Sequence, residues 1–335
     1  MAGDGLSRNL DEPGVGGRPA VGWRATLAYL RRDRSAFAGL IVVCVVTGVA
    51  TVAFVDAVVF AYLSRFQVFA SLGVEQYWLA RTVWISPTAE VAPELLPPVG
   101  LENAFGQGQL AHPLGTDDRG RDVLLRLFYG SRIALQVGVA ATLVGAIGGS
   151  VVGAVAGYYG GWVDDVCMRA VEVLYAVPFL VLVLALLSVL QARDSLLVVM
   201  VTVGVVTVPE FARLIRSRVL SVREAVYVEA ARVAGLSNLA IVRRHVVPNS
   251  VAPVVVQGTL RVGTAILVVA GLSFLGFGVA EPTPSWGAML ATSRDVLLQN
   301  VWFSVWPGLA ILVTVVGFNL LGDGLRDALD PRLSD

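Results

Sequence analysis

The stretch SVREAVYVEAARVAGLSNLAIVRRHVVPN, from Ser221 to Asn249, is a long polar interruption in a very hydrophobic sequence. Its first part, Glu224 to Ala234, is predicted to be a helix, and Gly235 is placed to end that helix in a left-handed cap. Ser237 is placed to cap a second short helix, which Pro248 is expected to end because proline has no backbone N–H. The stretch therefore predicts a helix, a glycine break and a second helix.

This segment has the chemistry of a docking surface for a soluble partner. The small side chains of Ala230 and Ala231 would let another backbone approach closely, while Glu229 and Arg232 keep the segment in water. We therefore expect the remainder of the chain to hold this segment in place.

The composition predicts a membrane protein. Of the 335 residues, 56% are hydrophobic and only 15% are charged, and the mean hydropathy is +0.73, far above the range of soluble domains. The formal net charge is zero, so no basic surface indicates a nucleic acid partner. All 25 basic residues are arginine, which excludes a Walker A lysine and a Schiff-base lysine from this chain. If ATP drives the protein, another chain hydrolyses it.

Cysteine and histidine usage indicates no metal site. Cys44 lies in an apolar run and Cys167 lies near a membrane boundary, without the spacing of a disulfide framework or of metal ligands. His112 and His245 are too far apart in the sequence to suggest a shared site. We expect no catalytic residue, metal or cofactor in this chain.

Six stretches are long and apolar enough to cross a bilayer, which takes about 20 residues. Pro178 is expected to kink the third stretch, and the glycines of the second offer a small face for close helix packing. Residues Tyr158–Asp165 are predicted to form a tight turn between those two. The predicted fold is an all-α polytopic membrane protein of about six transmembrane helices. The six stretches are Phe37–Leu63, Ile133–Ala156, Val171–Leu190, Leu196–Ile215, Val251–Leu275 and Val301–Leu321.

The arginines predict the orientation. They cluster before the first span, between the fourth and fifth, and weakly after the sixth. These places share one side of the membrane if both termini are cytoplasmic, which puts the 221–249 segment inside a prokaryotic cell membrane. The charge rule weakens for long segments such as 64–131, which is expected outside. The chain then divides into a cytoplasmic tail with an interfacial helix (1–36), a first span (37–63), an external segment (64–131), a core of five spans that includes 221–249 (132–325) and a cytoplasmic tail (326–335).

Asp56, Glu210 and Arg261 are charged residues inside the predicted spans. A charge at the middle of a bilayer costs about 2.5 to 3.5 kcal/mol on insertion scales, so each should face the bundle interior or an aqueous path. They either contact the cargo or pair with one another.

A charged turn precedes the second predicted span. His112, Asp117, Asp118 and Asp122 have the side chains of a metal site. Two arginines are interleaved with them, however, so we expect local ion pairing and helix capping instead.

The sequence also resembles a known family. Glu229-Ala230-Ala231, followed at fixed spacings by Gly235 and Pro248, resembles the cytoplasmic EAA loop of binding-protein-dependent ABC transporter permeases. Further stretches resemble the dipeptide and oligopeptide branch of these permeases, which nickel permeases also join. They are HPLGTDDRGRDV from His112, AGYYGGWVDD from Ala156, GLSFLGFGVAEPTPSWG from Gly271 and FNLLGDGLRDALDPR from Phe318.

The resemblance implies a type I importer permease that forms half of a translocation pathway. It implies a second permease subunit, two ATP-binding-cassette ATPase subunits and an external solute-binding protein, with Glu229 to Gly235 and Pro248 coupling to the ATPase. The implied cargo is a dipeptide or oligopeptide, with nickel or another small solute as the alternative. One position departs from the family. Val269 stands where members often carry a glutamate, so the charge of the pathway is expected to differ.

Two other classes of protein fit the sequence less well. A secondary transporter or channel predicts inverted repeats and broken helices at the midplane, and the sequence shows no convincing repeat. A membrane-embedded enzyme requires clustered acid, base or nucleophilic side chains, and the isolated Asp56 and Glu210 do not form such a cluster.

Overall fold

The computed structural model describes residues 23–68, 73, 75–83, 86–90, 92–191, 195–279 and 281–329. The expected tail at residues 1–22 and the last six residues, 330–335, lie outside this description. Regular structure in the described ranges consists of helices and one antiparallel hairpin, β1 (Glu102–Asn103) and β2 (Gly106–Gln107). The helices are α1 (Trp23–Arg32), α2 (Arg34–Leu63), α3 (Trp78–Val83), α4 (Val123–Tyr159), α5 (Gly161–Ala176), α6 (Phe179–Val189), α7 (Leu196–Arg223), α8 (Val226–Val233), α9 (Asn238–Phe274), α10 (Trp286–Ser293) and α11 (Trp302–Leu329).

The described residues contain five helices long and apolar enough to cross a membrane, and six if the bent pair α5 and α6 forms one span. The five are α2, α4, α7, α9 and α11. This confirms the predicted all-α membrane fold of about six spans.

The third predicted span, Val171–Leu190, is broken and not merely kinked. Val177 and Pro178 both have extended backbone conformations, with ψ angles of 132° and 131°. The ring of a proline pushes the preceding residue out of the helical region, so the helix stops before the proline. The axes of α5 and α6 consequently meet at 93°.

The turn between the second and third predicted spans is shorter than the predicted Tyr158–Asp165. Only Gly160 and Gly161 make it, with φ angles of +66° and +53° that L side chains rarely adopt. Helix α5 begins at Gly161, so Asp164 belongs to its first turn and is helical.

Glycines let α4 and α7 pack closely, as predicted for the second span. Gly145, Gly149 and Gly153 recur every four residues along one face of α4, the spacing of side chains stacked on one face of a helix. A Cβ at Gly149 would lie 2.4 Å from the Cβ of Phe211 on α7. The two backbones therefore approach to a distance that only a hydrogen at these positions permits.

The first and last long helices, α2 and α11, also pack closely at glycines. A Cβ at Gly39 of α2 would lie 2.8 Å from the carbonyl oxygen of Gly317 of α11.

The start of α2, directly after α1, is set by a side-chain cap. The Asp33 carboxylate accepts hydrogen bonds from the backbone N–H groups of Ser35 and Ala36, at 2.7 and 3.2 Å.

Residues 86–90, 92–122, 275–279 and 281–301 meet at one end of the bundle, and we call them the cap. Leu96 and Thr116 exchange hydrogen bonds, with the Leu96 N–H donating to the Thr116 hydroxyl at 2.9 Å and the Thr116 N–H donating to the Leu96 carbonyl at 3.1 Å. The Asn300 side-chain amide donates to the carbonyls of Leu95 and Leu96, at 3.1 Å each. The cap therefore joins two parts of the chain that flank α4 and α9. The 221–249 segment lies at the opposite end, beside the last turn of α4.

Candidate functional site

Helix α8 ends in a complete glycine cap, as the sequence predicts. Gly235 has a φ of +82°, and its N–H donates to the Arg232 carbonyl at 3.0 Å. The Leu236 N–H donates to the Ala231 carbonyl at 3.2 Å. These two bonds define the Schellman motif, which reverses the chain without leaving the last carbonyls of the helix unpaired.

The second predicted cap is also confirmed. The Ser237 hydroxyl accepts a hydrogen bond from the Ala240 N–H at 3.4 Å and starts α9. The Asn238 side chain accepts a bond from the Tyr158 hydroxyl at 2.8 Å, which ties this turn to the last residues of α4.

An apolar cluster holds the 221–249 segment against the bundle. Val228, Ile241 and Val246 are fully buried, and they pack with Ile215 and Val219 of α7. At about 25 cal/mol per Å² of apolar surface, each such buried aliphatic side chain contributes about 1.5 to 3 kcal/mol. The segment is thus a fixed projection of the bundle.

The outward side of α8 is exposed and mixes charge with apolar surface. Val226 and Val233 are 81% and 84% exposed, and Glu229 and Ala230 are exposed beside them. Exposed apolar surface rimmed by polar residues marks protein or membrane interaction sites.

The structure separates the two small residues that the sequence pairs. Ala230 faces outward, whereas Ala231 is half-buried and packs against the cluster that includes Val228. Of the two, Ala230 is therefore the one whose surface is accessible. Ala231 allows α8 to lie close to its own bundle.

Pro248 does not end the second helix, which corrects the prediction. The helix continues from Asn238 to Phe274, and Pro248 lies exposed in the first α-helical turn after a π-helical turn at Val242–Val246. In that turn the Val247 N–H donates to the Val242 carbonyl, five residues back. Since the π turn interrupts the α-helical bonding pattern, the missing N–H of Pro248 falls where the first turn of a new α-helix tolerates it.

Two of the charged residues that the sequence analysis singles out inside the spans are paired with each other. Glu210, near the middle of α7, forms a salt bridge with Arg261, near the middle of α9. Both side chains are mostly buried. Val269 lies two helical turns after Arg261 and is buried in the apolar core with Val183 and Leu187. An uncharged side chain at this position suits its apolar surroundings.

Asp56 belongs to a different site. It is fully buried near the far end of α2, where its carboxylate accepts hydrogen bonds from the backbone N–H groups of Leu79 and Ala80 at 2.7 and 3.2 Å. It also accepts a bond from the Tyr129 hydroxyl. Asp56 therefore anchors α3 to α2 and α4. Its hydrogen-bond partners are too far away in the sequence for a local pattern to reveal them.

A row of polar residues extends from Glu210 along α7, and sequence reasoning missed two of its members, Arg213 and Arg216. Arg213 lies over the ring of Tyr175, with 4.2 Å between the guanidinium carbon and the ring centroid. Arg216 forms two 2.6 Å hydrogen bonds with the carboxylate of Asp164. The signal was available, because positions 210, 213 and 216 share one face of a helix. We call Glu210, Arg213 and Arg216 the polar row.

The cap contains a second network of charges. The buried Arg121 donates through Nε to Asp117 at 2.6 Å and through its two terminal nitrogens to Glu281, at 3.2 and 3.4 Å. Arg119 contacts the same Glu281 at 3.1 Å. Burial by itself would raise the pKa of Glu281, but the hydrogen bond from Arg121 and the charges of the neighbouring arginines hold that pKa below its ordinary value of 4.5.

The expected ion pairing of the turn before α4 is confirmed. His112 lies 2.8 Å from Asp122, and Asp122 caps α4 by accepting the Leu125 N–H at 2.8 Å. Among the described residues, no three His, Cys, Asp or Glu side chains are arranged to hold a metal ion.

Long apolar helices around a fixed, water-facing segment define a multi-spanning membrane protein of the all-α class. Residues 149–335 match the family described as binding-protein-dependent transport system inner membrane component. The chain belongs to this family and is a membrane-embedded component of a transport system.

The region that matches this chain covers most of the length of each curated relative. The dipeptide transport system permease protein DppC of Alkalihalophilus pseudofirmus is 45% identical over 222 residues, which are 66% of this chain and 72% of the relative. The glutathione transport system permease protein GsiD of Pectobacterium atrosepticum is 42% identical over 246 residues, 72% of this chain and 81% of the relative. GsiD of Escherichia coli O1:K1 is 42% identical over 232 residues, 69% and 76% respectively.

A crystal structure of an amino acid ABC transporter with histidines also overlaps this chain. The overlap covers 59% of this chain and 91% of that chain, with a TM-score of 0.46 and 15% identity. This likeness is too low to bear on the assignment, which rests on the family match and the curated relatives.

Proposed function

We propose that this chain is one of two permease subunits in an ATP-driven importer of short peptides. The observation that best supports this proposal is the 221–249 segment. Its buried residues pack against the bundle and hold the exposed helix α8 at one end of the spans. Such a segment transmits force only if the partner that grips it also moves. An ATPase chain at the cytoplasmic face meets that requirement, since this chain has no lysine for a phosphate-binding loop.

The proposal places both termini in the cytoplasm and the cap outside. The arginine distribution supports this orientation. The partners are a second permease subunit, two ATPase subunits and an external solute-binding protein that delivers the cargo. The names of the relatives, a dipeptide and a glutathione permease, support a short peptide as cargo.

Coupling follows from the packing of the segment. When the ATPase subunits close, they push α8, and the cluster around Val228 passes this displacement to α7 and to the last turns of α4. The spans then exchange between inward-open and outward-open states, because the closed ATPase favours one of the two packings. Glu229, Ala230 and Gly235 contact or shape the docking surface, Ala231 seats α8 on the bundle, and Pro248 marks the start of the moving helix.

The test is co-purification of the complex from cells that express this chain with its neighbouring reading frames. We expect ATPase subunits to co-purify with the wild type, and Ala230→Trp to lose them because the new ring occupies the docking surface. The matched control is Ala104→Trp, an exposed alanine in the cap hairpin, which should retain the ATPase. Recovery of a lone chain that is indifferent to ATP would contradict the proposal.

Cargo is tested separately by uptake into proteoliposomes that hold the complete complex and its binding protein. We expect ATP-dependent uptake of a dipeptide. Uptake of nickel without uptake of any dipeptide would replace the peptide assignment and leave the coupling assignment in place.

A further inference from the structure

One face of α7 is polar from its middle to the end nearer the 221–249 segment. This face carries the polar row, although α7 as a whole is apolar enough to cross a membrane. Charges exposed to lipid are costly and rare, so charged residues on a span face a partner chain or water. The polar row is therefore turned away from the lipid.

An open cavity of about 400 Å³ lies beside the polar row, between α5 and α7. Pockets that enclose small-molecule ligands span about 300 to 1,000 Å³, so this cavity has room for a short peptide. Positive and negative side chains are balanced in its lining, as are the charges of the two termini of a peptide. The charged lining residues are Arg169, Arg213, Arg216, Asp164, Asp165 and Glu172.

Arg213 is the cation of the polar row that has no carboxylate partner among the described residues. Arg216, the other cation of the row, is held by two 2.6 Å hydrogen bonds to Asp164. Arg213 lies instead over the ring of Tyr175, with its guanidinium carbon 4.2 Å from the ring centroid. Within the part of the chain that the structure describes, its N–H groups have no hydrogen-bond acceptor.

The contact with Tyr175 positions Arg213 for an anion. An arginine that lies over an aromatic ring uses the face of its planar guanidinium, so the N–H groups along the edge stay available. A carboxylate binds this edge through two parallel hydrogen bonds. Because Arg213 is exposed and lines the cavity, a carboxylate reaches it without displacing another side chain.

We propose that Arg213 binds the C-terminal carboxylate of the peptide as the cargo passes through this cavity toward the cytoplasm. The face with the polar row then lines the path that the two permease subunits share. The contact is weak because water screens an exposed charge, and weak binding lets the cargo leave. The salt bridges of the row stay intact, so no buried charge loses its partner. The inference rests on the proposed peptide function.

The experiment uses the complete transporter in proteoliposomes that contain ATP, with the binding protein and labelled dialanine outside. Unlabelled dialanine, or its C-terminal amide, is loaded inside at increasing concentration. In the proposed orientation the cavity opens toward the vesicle interior, so the loaded probe reaches Arg213 without the binding protein. The loaded probe competes with arriving cargo, and the concentration that halves uptake measures its binding.

Two variants change Arg213 and two change other arginines. Arg213→Gln removes the cation, and Arg213→Lys keeps the charge without the planar fork. Arg169→Gln removes another cation from the same cavity, whose side chain is 83% exposed. Arg294→Gln is the matched control, since Arg294 also lies over a ring, that of Phe274, but in the cap.

We expect half-inhibition by dialanine to need about two- to fivefold more peptide in Arg213→Gln than in the wild type, the effect of losing one exposed ion pair. The value for Arg213→Lys should lie between the two. Arg169→Gln and Arg294→Gln should match the wild type. The amide has no carboxylate, so it should inhibit the wild type less than dialanine does and should inhibit all variants equally.

Equal inhibition of the wild type by dialanine and its amide, or no inhibition by either, would overturn the contact. A wild-type value in Arg213→Gln, or an equal change in Arg169→Gln, would do the same. Loss of uptake in both Arg213 variants would assign the residue a structural role and overturn the contact too. If the wild type imports no dialanine while the assembled complex hydrolyses ATP, the peptide function itself fails, and the contact fails with it.

Discussion

Glu281 joins two loops that are distant in the chain, since its partner Arg121 lies 160 residues earlier. The carboxylate accepts two hydrogen bonds from one guanidinium that is almost completely buried. Because the pKa of Glu281 in the folded protein lies below the ordinary value of 4.5, its contribution to stability is present above that value. The contribution is lost as the pH falls through the lowered pKa.

Glu281→Gln should therefore lower the stability of the complex at neutral pH and make it less sensitive to acid. The measurement is thermal unfolding of the purified complex from about pH 7 down to about pH 3, because the contribution of Glu281 is present above about pH 5 and is lost as the pH falls through its lowered pKa. Glu102→Gln, in the exposed strand β1, is the control for removing a carboxylate elsewhere. Parallel pH profiles for the wild type and Glu281→Gln would contradict the prediction.

Asp118 titrates in the opposite sense. Burial, together with the charge of Asp117, raises the pKa of Asp118, so its ionised form destabilises the folded protein at neutral pH. The charge of Glu281 is one cause of this rise, so Glu281→Gln relieves part of it, and the change at Asp118 partly offsets the expected difference between the two pH profiles.

At the scale of elements, the packing of α4 against α7 depends on the absence of side chains. A Cβ at Gly149 would lie 2.4 Å from the Cβ of Phe211 and 2.6 Å from the Val208 carbonyl oxygen. Gly149→Ala should therefore destabilise the bundle by about 1 to 3 kcal/mol, the usual cost of overpacking. Gly48→Ala is the control, since a Cβ there has open space around it. Equal thermal stability of the two variants would show that α4 and α7 can separate without cost.

Substitution of Gly235 measures the effect of backbone conformation without a steric clash. A Cβ there meets nothing within 4 Å, but the φ of +82° is unfavourable for any residue with a side chain. Gly235→Ala should cost about 1 to 2 kcal/mol and loosen α8. The expected readout is faster proteolysis at residues 226–240 with little change at the cap. Unchanged proteolysis would mean that the cluster around Val228 holds α8 without its cap.

Local features of the elements were predictable and longer-range ones were not. The caps at Gly235 and Ser237 depend on bonds within a few residues, so the sequence predicts them directly. Pro178 and Pro248 were both predicted to disturb helices, with opposite outcomes. One follows an extended valine and breaks the span, while the other follows a π turn and is tolerated. The two outcomes differ in the conformation of the residue before the proline, which is extended at Val177 and helical at Val247.

For the whole molecule, the orientation can be tested with cysteines placed at opposite ends. Leu298 in the cap and Leu239 in the 221–249 segment are both highly exposed. In a Cys44→Ala, Cys167→Ala background without the ATPase, a membrane-impermeant thiol reagent should label Leu298→Cys in intact cells. It should label Leu239→Cys only after permeabilisation. The reverse pattern would invert the proposed topology.

The whole-molecule prediction succeeded for the spans and fell short for the contacts between them. About six apolar helices were evident because each span is a continuous run of residues. The Glu210–Arg261 pair was one of two alternatives left open, and the Arg121–Glu281 contact was not foreseen. Both join segments whose proximity depends on how the helices are arranged, which a single sequence without repeats does not reveal.

The bonds between the cap loops have a mechanical consequence. They hold the ends of α4 and α9 together at one face, so a rocking motion would have its fulcrum there. Helix α4 has 37 residues, or about 55 Å at 1.5 Å per residue, so a tilt of about 10° would move its far end by about 10 Å. The midpoint, where Thr142 lies, would move by about half as much. Under the proposed coupling to an ATPase, the chain would act as a lever in which a long stroke at the end with the 221–249 segment becomes a short, more forceful displacement at the middle of the spans.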